Sequence, residues 1–113
     1  MAKLQASEYH FLLSFQVETS FIANDGCPKA NQLQERLKQP PMPTWENERY
    51  APSYFKGILK LTSKTKSDRR DEAMAQVSGE FSRLMAELEA SDAVEVSLAL
   101  MVDRLGEVIE WRM

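Results

Sequence analysis

The sequence predicts an α+β fold, a two-layer sandwich in which a mainly antiparallel sheet carries two helices on one face. Segments with alternating apolar and polar residues, typical of half-buried strands, are interrupted by two segments in which apolar residues recur every three or four positions. The resulting order β-α-β-α-β-β, with both helices on the same face, predicts a ferredoxin-like arrangement. We treat residues 1–113 as a single α+β domain.

The first strand and the first helix are predicted near the beginning of the chain. From Tyr9 to Phe21 the apolar residues fall on every second position, which predicts a half-buried strand. A turn sequence at positions 24–26 leads to Pro28, and proline is favoured in the first turn of a helix. Leucines at helical spacing follow, so we predict a helix over residues 28–38.

A long connection follows at residues 39–52. Pro40, Pro41 and Pro43 exclude a helix or a central strand there. Connections have a median length of about 4 to 6 residues, so this one is long enough to contain a short edge strand or to serve a function. The sequence leaves both interpretations open, with positions 46–50 as the place for such a strand.

A second strand and a longer helix come next. Residues 54–64 alternate again, which predicts a strand. Beyond them, apolar residues step by three and four over residues 68–90, with Ser67 or Asp68 as the helix cap. This stripe is the clearest amphipathic pattern in the chain and predicts a helix packed on the sheet.

The chain ends in a predicted β-hairpin. Residues 94–102 have an apolar residue at every second position, which predicts a third strand. Positions 103–106 have turn chemistry with glycine last, and residues 107–113 are again strand-like.

The composition excludes several classes of protein. Hydrophobic residues make up 43% of the chain and charged residues 27%, as in ordinary globular domains. One cysteine and one histidine cannot form an internal disulfide or a closed zinc site, and we expect no cofactor. A net charge of -3 gives no overall attraction to nucleic acid. No apolar run approaches the roughly 20 residues of a membrane span, so we expect a cytoplasmic protein that does not enter membranes.

The sheet face opposite the helices is the first candidate contact surface. We expect it to collect apolar side chains among the polar ones, and such patches mark protein interfaces more often than plain solvent surface. The apolar candidates are Leu12, Ile58, Met101 and Val108, with Tyr54 beside them. Pairing of two copies through this face, contact with a different partner and a simple scatter of exposed apolar residues all remain open.

The long connection is the second candidate contact surface. Met42, Trp45 and Tyr50 lie within it, and residues of these types are enriched at the centres of interfaces. An equally good interpretation is that Trp45 closes the edge of the core.

A basic segment favours an alternative function. Six cations lie between positions 56 and 70, and lysines near an aromatic residue on an open sheet face are used by sheet-based RNA-binding proteins. These cations are Lys56, Lys60, Lys64, Lys66, Arg69 and Arg70. The ordinary interpretation is a solvated basic edge that discourages strand pairing.

The sequence shows no catalytic constellation. His10 is the formal candidate for proton transfer, because only histidine has an unperturbed pKa near neutrality, but no positioned nucleophile accompanies it in the pattern. We therefore expect a small non-enzymatic protein-interaction or regulatory module of the inhibitor or accessory type, with a homodimer as one form of that contact. The alternative is a nucleic-acid-binding module that uses the basic segment.

Overall fold

A computed structural model describes residues 7–19, 26–42, 45–48, 51–90 and 94–113. In this part of the chain five strands and two helices follow the order β-α-β-β-α-β-β, which confirms the α+β class. The elements are β1 (Ser7–Thr19), α1 (Gly26–Arg36), β2 (Trp45–Glu48), β3 (Ala51–Leu61), α2 (Lys66–Glu87), β4 (Val94–Val102) and β5 (Ile109–Arg112).

The predicted ferredoxin-like β-α-β-α-β-β order was wrong. Residues 45–48 form a further strand, so the sheet has five strands in the order β2-β3-β1-β4-β5, and every neighbouring pair is antiparallel. The prolines of the long connection excluded only a central strand, and β2 lies at the edge of the sheet, where proline is tolerated nearby. Trp45 is buried and lies opposite Gly57 of β3, which anchors this edge strand to the core.

The other elements lie within three residues of their predicted bounds, and β4 has the predicted bounds of 94–102. The strand β3 ends early, at Leu61, because the next two backbone N–H groups donate to the carboxylate of Glu72 and not to a neighbouring strand. The helix α2 is capped by Thr65, whose hydroxyl accepts from the Asp68 N–H at 3.0 Å. Positions 20–25, with the beginning of the predicted turn, lie outside the described residues.

The core lies between one face of the sheet and the two helices. The odd-numbered residues of β1 from Tyr9 to Val17, in the middle of the sheet, are buried against the apolar stripe of α2 and the leucines of α1. The two helices are also linked directly, because the Lys29 ammonium of α1 donates to the Leu88 carbonyl at the end of α2, at 2.8 Å. This packing leaves the opposite face of the sheet without a helix among the described residues.

No helix in the described part of the chain is long and apolar enough to cross a lipid bilayer.

Candidate functional site

The candidate site lies on the sheet face that the helices do not cover, which we call the open face. Strand alternation turns the even-numbered residues of β1 towards it. Leu12 of β1 lies directly opposite Met101 of β4, and these side chains are 37% and 56% exposed. The two side chains therefore form an exposed apolar pair at the middle of the sheet.

Further apolar side chains surround this pair. Tyr54 and Ile58 of β3 lie diagonally on either side of Leu12, because they pair with Ser14 and His10 of β1. Tyr54 is 36% exposed and Ile58 is half-buried. We call these four side chains the apolar patch: Leu12, Tyr54, Ile58 and Met101. Val108, the residue before β5, is also exposed.

Charges of both signs border the apolar patch. Lys56 of β3 lies opposite Glu46 of β2, and Lys60 lies opposite Glu8 of β1. Each lysine therefore has a carboxylate in register beside it, and opposite charges in such cross-strand pairs attract. The border of the patch is a mixed field of charges and not a continuous basic surface.

The residues predicted in the long connection take different places. Trp45 is 3% exposed, in contact with Phe11 and Phe55, so it forms part of the core. Met42 is 38% exposed and lines a cleft of about 410 Å³ that it shares with Ile58 of the apolar patch. Tyr50 lies outside the described residues.

The six cations of the basic segment do not form one surface. Lys56 and Lys60 lie on the open face, whereas Lys64 precedes the cap of α2 and Lys66 is the first residue of that helix. Arg69 and Arg70 belong to α2 and make hydrogen bonds inside the fold.

The two arginines hold separate parts of the fold together. Arg69 donates through Nε to the Ser63 carbonyl and through a terminal nitrogen to the Tyr9 hydroxyl, both at 2.6 Å. Arg70 donates to the carbonyls of Leu105 and Glu107, at 2.6 and 2.7 Å, in the connection between β4 and β5. The sequence could not show this role, because these carbonyls lie 35 and 37 positions away in the chain.

Two titratable groups among the described residues have a clearly shifted pKa: the hydrogen bond with Glu80 raises the pKa of the exposed Arg83 side chain, and the other group is Glu72. Burial of Glu72 opposes its ionisation, but the N–H groups of Ser63 and Thr62 donate to the carboxylate and outweigh that effect, so its pKa is lowered. This carboxylate joins α2 to the end of β3 and lies away from the apolar patch, so its role is structural.

His10 lies on the open face, opposite Ile58. Among the described residues no group of three His, Cys, Asp or Glu side chains is placed to hold a metal ion.

Comparison with known proteins identifies no relative: no family model, no curated protein and no solved structure matches this chain. Function is therefore inferred from the chain's own surface.

Proposed function

We propose that this chain is a non-enzymatic protein-interaction module, of a regulatory or accessory type, that contacts a partner protein through the apolar patch on its open face. The observation that carries this proposal is the exposed pair of Leu12 and Met101, in register on two central strands and without a covering helix among the described residues. Clustered apolar side chains on a surface favour burial against a partner, by about 25 cal/mol for each Å² removed from water.

The position of the patch supports an interface. Leu12 lies on β1, the middle strand of the five, so a partner seated on it would also cover the polar rows on both sides. Interfaces have this arrangement, in which a few apolar side chains supply most of the binding energy and a polar border excludes water. The charges of the border predict a partner with an apolar centre and acidic and basic groups around it.

Matched double variants test this proposal. In Leu12→Lys/Met101→Lys the apolar pair is replaced, whereas in Gln16→Lys/Ser97→Lys a polar pair on the same two strands and the same face receives the same charges. We expect the proteins that bind the wild-type chain in cell extract to bind the control variant as well. They should not bind the patch variant. The purified partner should then bind the patch variant at least about tenfold more weakly, a difference of about 1.4 kcal/mol.

Two outcomes would contradict the proposal. One is a purified partner that binds the wild type and the patch variant equally well. The other is equal loss of binding in both double variants, which would indicate an effect of added charge and not of the apolar patch. Circular dichroism of each variant, compared with the wild type, shows whether the fold is retained.

The nucleic-acid alternative has weaker support. Two of its six cations, Arg69 and Arg70, donate to groups inside the fold, and Lys56 and Lys60 lie beside carboxylates. A phosphate backbone would need these cations turned outward and unopposed.

A further inference from the structure

We propose that two copies of this chain pair through the outer edge of β5, so that their sheets join into one continuous sheet. The strand β5 is the last in the sheet order, and no described element of the chain lies beyond it. This pairing does not depend on the proposed function of the open face.

The hydrogen-bonding pattern shows which backbone groups of β5 point outward. Met113 and Val96 exchange two hydrogen bonds, at 2.8 and 3.0 Å. Hydrogen-bonded and non-hydrogen-bonded pairs alternate along an antiparallel ladder, so Glu110 and Arg112 lie at non-hydrogen-bonded positions against β4. Their N–H and C=O groups therefore point away from the sheet and are available to another strand.

The side chains at these two positions select one register. A two-fold axis at Trp111 sets Glu110 opposite the partner's Arg112, and Arg112 opposite the partner's Glu110. Both residues of each pair have outward-pointing backbone groups, so each pair can exchange two hydrogen bonds. Axes at position 110 or 112 would use the same backbone groups but would set like charges opposite each other. Only the register centred on Trp111 joins opposite charges.

The other side of β5 agrees with this register. Ile109, Trp111 and Met113 are half-buried and pack at the border of the core. In the dimer Trp111 lies opposite the partner's Trp111 at a non-hydrogen-bonded position, where cross-strand side chains come closest. Ile109 lies opposite the partner's Met113, so the apolar core continues across the interface.

The ion pair that Arg112 makes within its own chain does not prevent this pairing. At β5, Arg112 lies 3.8 Å from Glu95 of its own chain, and the two side chains are 65% and 43% exposed. An exposed ion pair of this length is weak, so Arg112 can turn to the partner's Glu110 instead.

The pairing has a consequence for the open face. Directly opposed residues in an antiparallel sheet project on the same side, so the open faces of the two copies lie side by side. A dimer would present two apolar patches in one direction, which strengthens contact with a partner that has two matching surfaces.

A charge-swap series tests the pairing by light scattering or sedimentation over a range of protein concentrations. We expect the wild-type mass to rise with concentration from 12.9 kDa towards about twice that value. Glu110→Arg and Arg112→Glu each set like charges opposite each other and should weaken the dimer by about tenfold. The double variant Glu110→Arg/Arg112→Glu restores opposite charges and should restore the dimer.

A backbone variant supplies an independent test. In Glu110→Pro the N–H that is lost points away from β4, so the fold should be retained, and proline is tolerated on edge strands for this reason. The dimer should be lost, because the partner strand no longer finds that donor. Circular dichroism and thermal unfolding of the monomer check the fold of each variant.

The outcomes separate this pairing from the open-face proposal. A wild-type chain that stays monomeric at every concentration would overturn the pairing, as would a dimer that neither the single charge reversals nor Glu110→Pro weakens. A dimer that Leu12→Lys/Met101→Lys dissociates while Glu110→Pro leaves it intact would place the contact on the open face. A dimer lost in Glu110→Arg and regained in the charge swap supports pairing through β5.

Discussion

The rings of Phe11 and Trp45 meet edge to face across Gly57, with their centroids 5.1 Å apart. Gly57 lies on β3 between the two aromatic residues and pairs with both, Phe11 on β1 and Trp45 on β2. Because glycine adds no side chain, the two rings close over the backbone of β3. This contact, worth about 0.5 to 1.5 kcal/mol beyond the area it buries, helps to hold the edge strand β2 on the core.

The surroundings of Gly57 predict the effect of a larger side chain at this position. Valine favours strands, so Gly57→Val would stabilise β3 if the position were open. The rings of Phe11 and Trp45, on the two neighbouring strands, have their centroids only 5.1 Å apart. We therefore expect the variant to lower the free energy of unfolding by about 1 to 3 kcal/mol, as overpacked cores do. Urea unfolding followed by circular dichroism measures the change. A variant as stable as the wild type would show that the rings can separate freely.

A second glycine is expected to have the opposite effect on stability when it is replaced, and so serves as a control for Gly57→Val. Gly79 lies in the middle of α2, and a Cβ atom built there meets no atom within 4 Å. Glycine is unfavourable inside helices, so Gly79→Ala should raise the free energy of unfolding by about 0.5 to 1 kcal/mol. The same urea experiment measures it. Loss of stability in Gly79→Ala would mean that this face of α2 is covered.

The Glu72 carboxylate predicts a pH dependence of stability. It accepts from the backbone N–H groups of Thr62 and Ser63, at 2.9 and 3.0 Å, and its pKa is lowered below the ordinary value of 4.5. A group whose pKa is lower in the folded chain stabilises the fold above its unfolded pKa. That contribution is complete above about pH 5 and is lost as the pH falls through the lowered pKa.

A neutral replacement isolates this contribution. Glu72→Gln keeps the shape of the side chain but removes its charge. We therefore expect the free energy of unfolding to fall by about 1 kcal/mol at pH 7. The wild type and the variant should converge in stability as the pH falls through the lowered pKa of Glu72, because protonation removes the charge from the wild type as well. Thermal unfolding at a series of pH values measures both. A constant difference at all pH values would assign the effect to packing and not to charge.

Sequence patterns predicted the elements with strong periodicity and left open the short edge strand, which depends on contacts with a distant part of the chain. The stripe of α2 was clear because Val77, Phe81 and Leu84 are all fully buried on one face. The strand β2 has only four residues among prolines, too few to show alternation, and pairing with β3 defines it.

The candidate site was predictable in part. Alternation alone placed Leu12 and Met101 on the face away from the helices, and the structure locates them there, opposite each other. Their register depends on how β1 and β4 pair, which no local pattern specifies. Sequence also grouped Arg69 with the lysines of the basic segment, although its partners Ser63 and Tyr9 make it part of the fold.

The internal role of Arg69 predicts coupling with Tyr9. The Tyr9 side chain is 3% exposed, and the Arg69 guanidinium lies 5.6 Å from its ring centre and donates to its hydroxyl. Lysine has one donor nitrogen and cannot reach both Ser63 and Tyr9 as a guanidinium does. Arg69→Lys should therefore lower the free energy of unfolding by about 1 to 2 kcal/mol. Tyr9→Phe should lose about 1 kcal/mol.

A double-mutant cycle measures this coupling. Once the Tyr9 hydroxyl is absent, Arg69→Lys should lower the free energy of unfolding by a smaller amount. The double variant should therefore be about 0.5 to 1.5 kcal/mol more stable than the sum of the two single losses predicts. Urea unfolding of the four proteins supplies the values. Strictly additive losses would mean that the hydrogen bond contributes nothing to stability, and Arg69 could then turn outward with the lysines. Coupling of the expected size would mean that substitutions of Arg69 change the stability of the fold. Nucleic-acid binding should then be tested by substituting Lys60 and Lys64 instead.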